Sequence, residues 1–530
     1  MPGNTPPIGS TRARGSMVAS ADQLATQAGM SALARGGNAV DAAIAANAAI
    51  AVTSPHLCGI GGDLFALVHS GGAVFALDAT GRAGAASDPA TLRAEGHTEM
   101  PFRHDIRTVT VPGCVDGWCA LHARFGCLPL IDLLAPAIRL AEEGFPASPL
   151  LVGSLSMLDE MAQTALGELV RQARRPGDLV RRPGVARALR AIAAGGRDAF
   201  YLGDFGQGLQ QLGNGLYSDD DLRVASPEWV APLSQPAFDK VLHTMPPSSQ
   251  GYLTLGSAAL IDQLSRAHTL PADPQDPLWA HLLIEAATVA GHDRPAVLHD
   301  RADGAALLAR IVGDVASVNT QSASRVVTPT FDGDTTYLCT VDDQRMGVSL
   351  IQSNASGFGS WLVEPSTGIN LHNRGLGFSL EEGHPAELAP GRRPPHTLSP
   401  ALATNADGSL AAVFGTMGGD AQPQILLQVA TRLFLHGASP AEAINAGRWV
   451  LHGPVTGFDT WTTPVGPHVL VEGHSASEWL DGLEQRGHEV RVRAPYDSGF
   501  GHAHAIVVED GGTLAGAADP RSRVGAVAGL

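Results

Sequence analysis

The chain has 530 residues, 44% of them hydrophobic, and a formal charge of −17. That length can enclose a large core, and the acidic balance has the wrong sign for nucleic acid or an anionic membrane surface. Small molecules are the expected partners. Cys58, Cys114, Cys119, Cys127 and Cys339 form no CxxC pair, so neither a disulfide framework nor a zinc site is expected, and a reducing, cytoplasmic setting fits best. The Pro-, Gly- and Ser-rich start lacks the apolar core of a secretory signal. The most apolar run, residues 39–52, contains Asp41 and Asn47 and is too short to span a bilayer.

In chain order, Ser20 or Asp22 caps a predicted helix through residue 34, ended by Gly36-Gly37, and residues 38–53 predict a second, buried helix. Alternating segments at 63–69 and 73–78 around Ser70-Gly71-Gly72 predict a hairpin. Residues 129–310 read as mainly helical, broken by stretches such as PPSSQG, and the arginines of 171–190 read as a solvated helical face without a site. Residues 319–334 are polar and predict a flexible segment. From Thr335 the sequence turns strand-like: TTYLCTV, the turn DDQR, then MGVSLIQS, a second hairpin. A strand at 410–416 runs into Gly418-Gly419, a helix follows at 424–435, and strands recur at 468–471 and 504–508.

Two of these places carry chemistry. A threonine hydroxyl is a weak nucleophile unless its own α-amine, freed at a chain start, serves as base. The amine's pKa of about 7.7–8.0 leaves a useful neutral fraction near physiological pH. Thr335 would first attack the Asp334 carbonyl, shift the acyl group to oxygen and let water cut the ester, with the polar segment upstream free to move away. Attack on an amide creates a negative oxygen, and Gly418 and Gly419 can turn backbone N–H groups toward it without side-chain obstruction. Asp-Thr-Thr alone is commonly a capped turn and Gly-Gly alone a loop; their combination gives them weight.

The blocks GGNAVDAAIAANAAIAVTSPHLCGIGGD, VPGCVDGW, PPSSQG and EAATVAGHDR, followed by DTTYLCTVDD, FGSWLVEPSTGINLHNR, RRPPHTLSP and FGTMGGDAQPQ, resemble the γ-glutamyltransferase family of N-terminal nucleophile hydrolases over most of the chain. The resemblance implies a four-layer αββα sandwich and a proenzyme cut between Asp334 and Thr335. The products would be a large subunit, 1–334, with a flexible end near 319–334, and a small catalytic subunit, 335–530, held as a heterodimer capable of higher association. It also implies Thr335 as nucleophile, Gly418 and Gly419 in the oxyanion hole, and Arg82 at the donor's α-carboxylate, which a guanidinium fork suits.

Counted without gaps from Thr335, several family positions are altered. The glutamine and aspartate that hold a donor ammonium fall on Arg374 and Gly377, the hydroxyl threonine and its asparagine on Ser353 and Ala355, with Asn354 adjacent, and the Ser-Ser pair on His396-Thr397. A buried cation beside an ammonium is costly, so the expected donor carries a carboxylate without needing an α-amino group, as in the oxamate-hydrolysing and glutaryl-type acylase branches that the chain also resembles. Arg374 also reads as one half of a structural ion pair. Residues 378–392 are short for a lid, which favours water over an amine acceptor. His502 and His504 read as hydrogen-bonded or solvent-facing, and no metal or organic cofactor is expected. A non-catalytic, uncut binding homologue is the rival, while a nucleotide-binding enzyme lacks its Walker or GxGxxG signature.

Overall fold

The computed structural model describes residues 9–324, 335–452 and 468–530. Asp334, the acyl side of the expected scission, and residues 325–334 of the segment expected to be flexible lie outside them.

Two seven-stranded sheets dominate. The first runs Ala526–Gly529, Met17–Ser20, Thr336–Val341, Gly347–Ser353, Asp63–Ser70, Ala73–Ala79 and Glu228–Val230. The second runs Thr11–Ala13, Leu514–Ala517, Ala503–Val508, Leu410–Thr416, Ala401–Thr404, Lys240–Thr244 and Leu233–Ala237. Each draws strands from before and after residue 335.

Strand alternation sorts the side chains into layers. Tyr337, Cys339, Ile351, Phe65, Leu67 and Val413 meet between the sheets. Leu338, Leu350, Leu64 and Ala66 face outward into a core shared with the helices Gln23–Ala34 and Ala39–Thr53. Ala412 and Phe414 face the opposite way, toward Tyr252–Arg266, Pro277–Gly291 and Gln422–Ala430. The result is the expected four-layer αββα sandwich.

The first helices form as the sequence predicts. Asp22 is the N-cap of Gln23–Ala34, and Asn38 and Asp41 form a capping box at Ala39–Thr53, a device whose loss costs about 1 kcal/mol. Every residue of Ala39–Thr53 is buried. Its alanines allow close approach on all sides, and its polar members are satisfied: Asn47 Oδ1 accepts from Trp118 Nε1 at 2.7 Å, and Asp41 accepts from the Cys127 amide. The first hairpin turns at Gly71 (φ 59°) and Gly72 (φ 80°), backbone values that favour glycine.

Three expectations need correction. The middle third is not only helical: Leu233–Ala237 and Lys240–Thr244 pair as a hairpin at the rim of the second sheet. Residues 319–324 are anchored rather than loose, with Ala323 N donating to Arg486 O at 2.7 Å and Ser324 N to Glu285 Oε1 at 3.1 Å. The helix expected over 424–435 is α-helical over Gln422–Ala430 and π-helical over Thr431–Leu435. Among the described residues no helix is long and apolar enough to cross a membrane.

Candidate active site

Three neighbouring strands place Thr335, Ser353 and Asp63 side by side. Thr336 pairs with Gln352 and Ser353 with Asp63. All three side chains share the inter-sheet parity of Tyr337, Ile351 and Phe65, so they converge at one end of the seam between the sheets. All three are buried.

Ser353 is the hub. Its Oγ lies 3.0 Å from Thr335 Oγ1, 3.1 Å from Arg374 Nη2 and 2.8 Å from the Ala355 amide nitrogen. A hydroxyl has one proton and two lone pairs. Arginine and the amide can only donate, so both approach Ser353 as an acceptor, and the Ser353 hydroxyl lies within hydrogen-bond reach of Thr335 Oγ1. Thr335 Oγ1 therefore sits in hydrogen-bond contact with a hydroxyl that Arg374 and a backbone amide hold in place.

Arg374 opens the short turn Arg374–Gly377 after the strand Ile369–Asn370. It is fully buried, and its Nη1 donates to Thr397 Oγ1 at 3.2 Å. Burial lowers the guanidinium to about 10 against the pull of Asp63 and Asp420, so it is cationic at neutral pH. Its Nη2 touches Ser353 Oγ, and Asp63 and Asp420 are the carboxylates whose charge acts on it.

Asp63 accepts from the amides of Gly81 and Gly113 at 2.9 and 3.2 Å and lies 3.3 Å from His396 Nε2. Burial pushes its carboxyl up, but His372, His396 and Arg374 outweigh it and bring the group down to about 2. His396 is lowered to about 3, by burial first and Arg374 second. It is a neutral imidazole packed edge-on against Phe65 at 5.1 Å.

The glycine turn comes from the other sheet. The strand Leu410–Thr416 ends, and Gly418 (φ 132°) and Gly419 (φ 52°) start a short 3-10 turn. Among the described residues neither amide donates a hydrogen bond, so both remain available to an anion. A Cβ on Gly418 would sit 3.1 Å from Ile425 Cδ1 at a backbone angle that side chains rarely adopt. Gln250 ties this turn to the hydroxyl row: its Nε2 donates to Thr397 O at 2.8 Å and Gly419 O at 3.0 Å. Arg294 holds Gln250 Oε1 and pairs with Asp420 at 2.7 Å.

Thr335, Ser353, Arg374 and Thr397 thus form one hydrogen-bonded row, His396 joins it beside Asp63, and Gly418 and Gly419 join it through Gln250. Arg82 is engaged elsewhere: its guanidinium donates to Gly391 O at 2.9 Å and pairs with Glu228 at 2.5 Å, part-exposed. Asn354 points away, donating to Pro55 O at 3.1 Å. Sequence reasoning missed Asp63, Gln250, Arg294 and Asp420, although all four sit inside quoted blocks, which end in GIGGD and AGHDR or contain PPSSQG and GTMGGD. The short segment 378–392 buries Phe378, Leu380 and Leu388 and walls a cavity of about 650 Å³, next to Leu376, Gly377 and Pro395. His502 and His504 are buried and hydrogen-bonded, to Ser498 Oγ at 2.8 Å and the Asp519 amide at 3.2 Å.

Comparison with known proteins agrees with this architecture. The family model described as gamma-glutamyltranspeptidase matches residues 25–529. The chain is 36% identical to the oxamate amidohydrolase proenzyme of Klebsiella pneumoniae subsp. pneumoniae, covering 97% of this chain and 98% of that protein. It is 34% identical to the glutathione hydrolase-like YwrD proenzyme of Bacillus subtilis, covering 96% and 98%. The crystal structure of a cephalosporin acylase from Bacillus halodurans superposes with a TM-score of 0.88 at 32% identity, covering 99% and 97%. The chain therefore belongs to the gamma-glutamyltranspeptidase family and has its N-terminal nucleophile hydrolase fold.

Proposed function

We propose that the protein is a self-processing amidohydrolase that cleaves amides of a carboxylate-bearing acyl donor through an acyl-Thr335 ester. The observation that carries this reading is the contact of Thr335 Oγ1 with Ser353 Oγ, 3.0 Å away, on a hydroxyl held by Arg374 and the Ala355 amide.

Scission before Thr335 divides the chain into 1–334 and 335–530 and frees the threonine's amine. That amine takes the Oγ1 proton as the oxygen attacks the donor carbonyl. The carbonyl oxygen becomes an oxyanion facing the Gly418 and Gly419 amides. Collapse breaks the C–N bond, the leaving nitrogen takes the proton from the amine, and water then hydrolyses the ester by the same route. One oriented donor in such a site is worth about 2.7–4 kcal/mol, so the glycine turn and Ser353 together account for much of the barrier reduction.

Specificity rests on Arg374, with His396 and Thr397 beside it. A fixed buried cation favours a donor carboxylate and opposes an ammonium. Asp63 and Asp420 keep Arg374 charged and offset part of that preference. Arg82 would serve the donor carboxylate only after releasing Glu228. The name of one relative, an oxamate amidohydrolase, supports an amino-free donor, and the short 378–392 segment favours water as acceptor. Steady-state rates on glutaryl and γ-glutamyl p-nitroanilides and on oxamate test this reading. The amino-free substrates should give the higher kcat/KM, and a strong γ-glutamyl preference would overturn it.

A further inference from the structure

A second cluster of ligating side chains lies away from Thr335, at the edge of the opposite helical layer. His281 and Glu285 are four residues apart on one face of Pro277–Gly291, and His488 follows the helix Ser477–Gln485 that packs against it. One ligand atom from each lies within 4.8 Å of the others. We propose that His281, Glu285 and His488 form a binding site for a divalent first-row transition ion of the zinc class, joining the segments on either side of residue 335.

The hydrogen bonds around the cluster fit this role. His281 Nε2 lies 2.9 Å from the Asn319 carbonyl oxygen, which only accepts, so Nε2 carries the proton. The lone pair is thereby fixed on Nδ1, which points at His488 Nε2 at 2.8 Å. An imidazole that donates its far N–H to a carbonyl while its near nitrogen faces other ligands is the usual outer arrangement of a metal-bound histidine. Glu285 supplies the second, independent sign. It is 1% exposed, its Oε1 accepts from the Ser324 amide, and its Oε2 has no hydrogen-bond partner among the described residues. An ion would take that oxygen and replace the proton shared between the two imidazoles.

Two imidazoles and one carboxylate match the donor set of zinc. Zn–N and Zn–O bonds of about 2.0–2.2 Å require ligand separations of about 3.4 Å, between the 2.8 Å of the two ring nitrogens and the 4.8 Å that bounds the set. The nearby cation, Arg486, is anchored on Gly482 O at 2.9 Å. Because Asn319 and Ser324 brace the ligands, a bound ion would fix the stretch of chain that leads toward Thr335 and would clamp it to the part of the chain carrying His488.

The test uses the full-length protein stripped with a chelator and titrated with Co²⁺, then with Zn²⁺ in competition with a chromophoric chelator. The expected result is one equivalent bound, with the visible absorption of low-symmetry, four-coordinate Co²⁺, and a higher melting temperature in Zn²⁺. His488→Ala and Glu285→Gln should each weaken binding by at least about tenfold and abolish the thermal shift. Glu285→Gln is nearly isosteric, so it remains informative if His488→Ala fails to fold. No one-equivalent binding by the wild-type protein, or unchanged affinity in the folded variants, would overturn the proposal.

Discussion

Replacing Ser353 with alanine isolates the feature that separates this site from a generic buried hydroxyl cluster. The change removes the hydroxyl 3.0 Å from Thr335 Oγ1 and the acceptor shared by Arg374 Nη2 and the Ala355 amide. Loss of one oriented donor to a developing negative charge costs about 2.7–4 kcal/mol, or about 10²–10³ in kcat. Stranding two buried N–H groups should cost a further 1–3 kcal/mol or so of stability for each. The assay has two parts, the rate at which the purified precursor resolves into two bands on a denaturing gel and the kcat of processed enzyme on a carboxylate-bearing anilide. Both rates should fall by about two orders of magnitude with KM little changed, and Ser353→Thr, which keeps a hydroxyl, should recover most of the loss. A Ser353→Ala protein that melts lower but turns over within about twofold of wild type would refute the role assigned to Ser353, because it would reduce it to a packing residue.

Arg374→Gln should lower kcat/KM for amino-free carboxylate donors at least tenfold and narrow or reverse the discrimination against γ-glutamyl donors, measured with matched anilides, since a desolvated ion pair between a guanidinium and a donor carboxylate is worth about 1.5–3 kcal/mol. Gly418→Ala should fold but process and turn over at least tenfold more slowly, because φ of 132° and the contact with Ile425 put roughly 1–3 kcal/mol of strain on the oxyanion turn; unchanged kinetics would remove Gly418 from that role. Stability should fall steeply on acidification. Burial holds His56, His396 and His504 near 3 and His502 near 4, so below about pH 6.5 the unfolded chain takes up protons that the folded chain does not. Each such group contributes up to about 1.4 kcal/mol per pH unit down to its folded value. Thermal melts between pH 7 and pH 4 should show this slope, and a flat profile would contradict the buried neutral imidazoles.

Local patterns made much of the framework legible. The capped alanine helix, the Ser70-Gly71-Gly72 hairpin and the strands flanking DDQR depend on short-range propensity and periodicity, and they form where expected. The strands 233–244 were harder to see because Pro236 and a short run mimic an interruption between helices; an edge position in the sheet tolerates that proline. In the candidate site, Thr335, Gly418 and Gly419 are suggested by chemistry, and Ser353, Arg374 and Thr397 only by the positions they share with the family. Asp63 is not, because its position opposite Ser353 depends on the register of strands nearly three hundred residues apart. Gln250 and the Arg294–Asp420 pair link segments more than a hundred residues apart in the chain, which no local pattern encodes. Arg82 shows the reverse: motif position assigned it to a ligand, whereas the folded chain gives it Glu228.

The central claim is that Thr335 becomes a chain start and acts through its own amine. N-terminal sequencing with intact mass of the purified, active protein tests it directly. The account predicts two chains, the smaller beginning Thr335-Thr336-Tyr337, and a single uncut, inactive chain for Thr335→Ala. A fully active wild-type protein intact across that junction would contradict it.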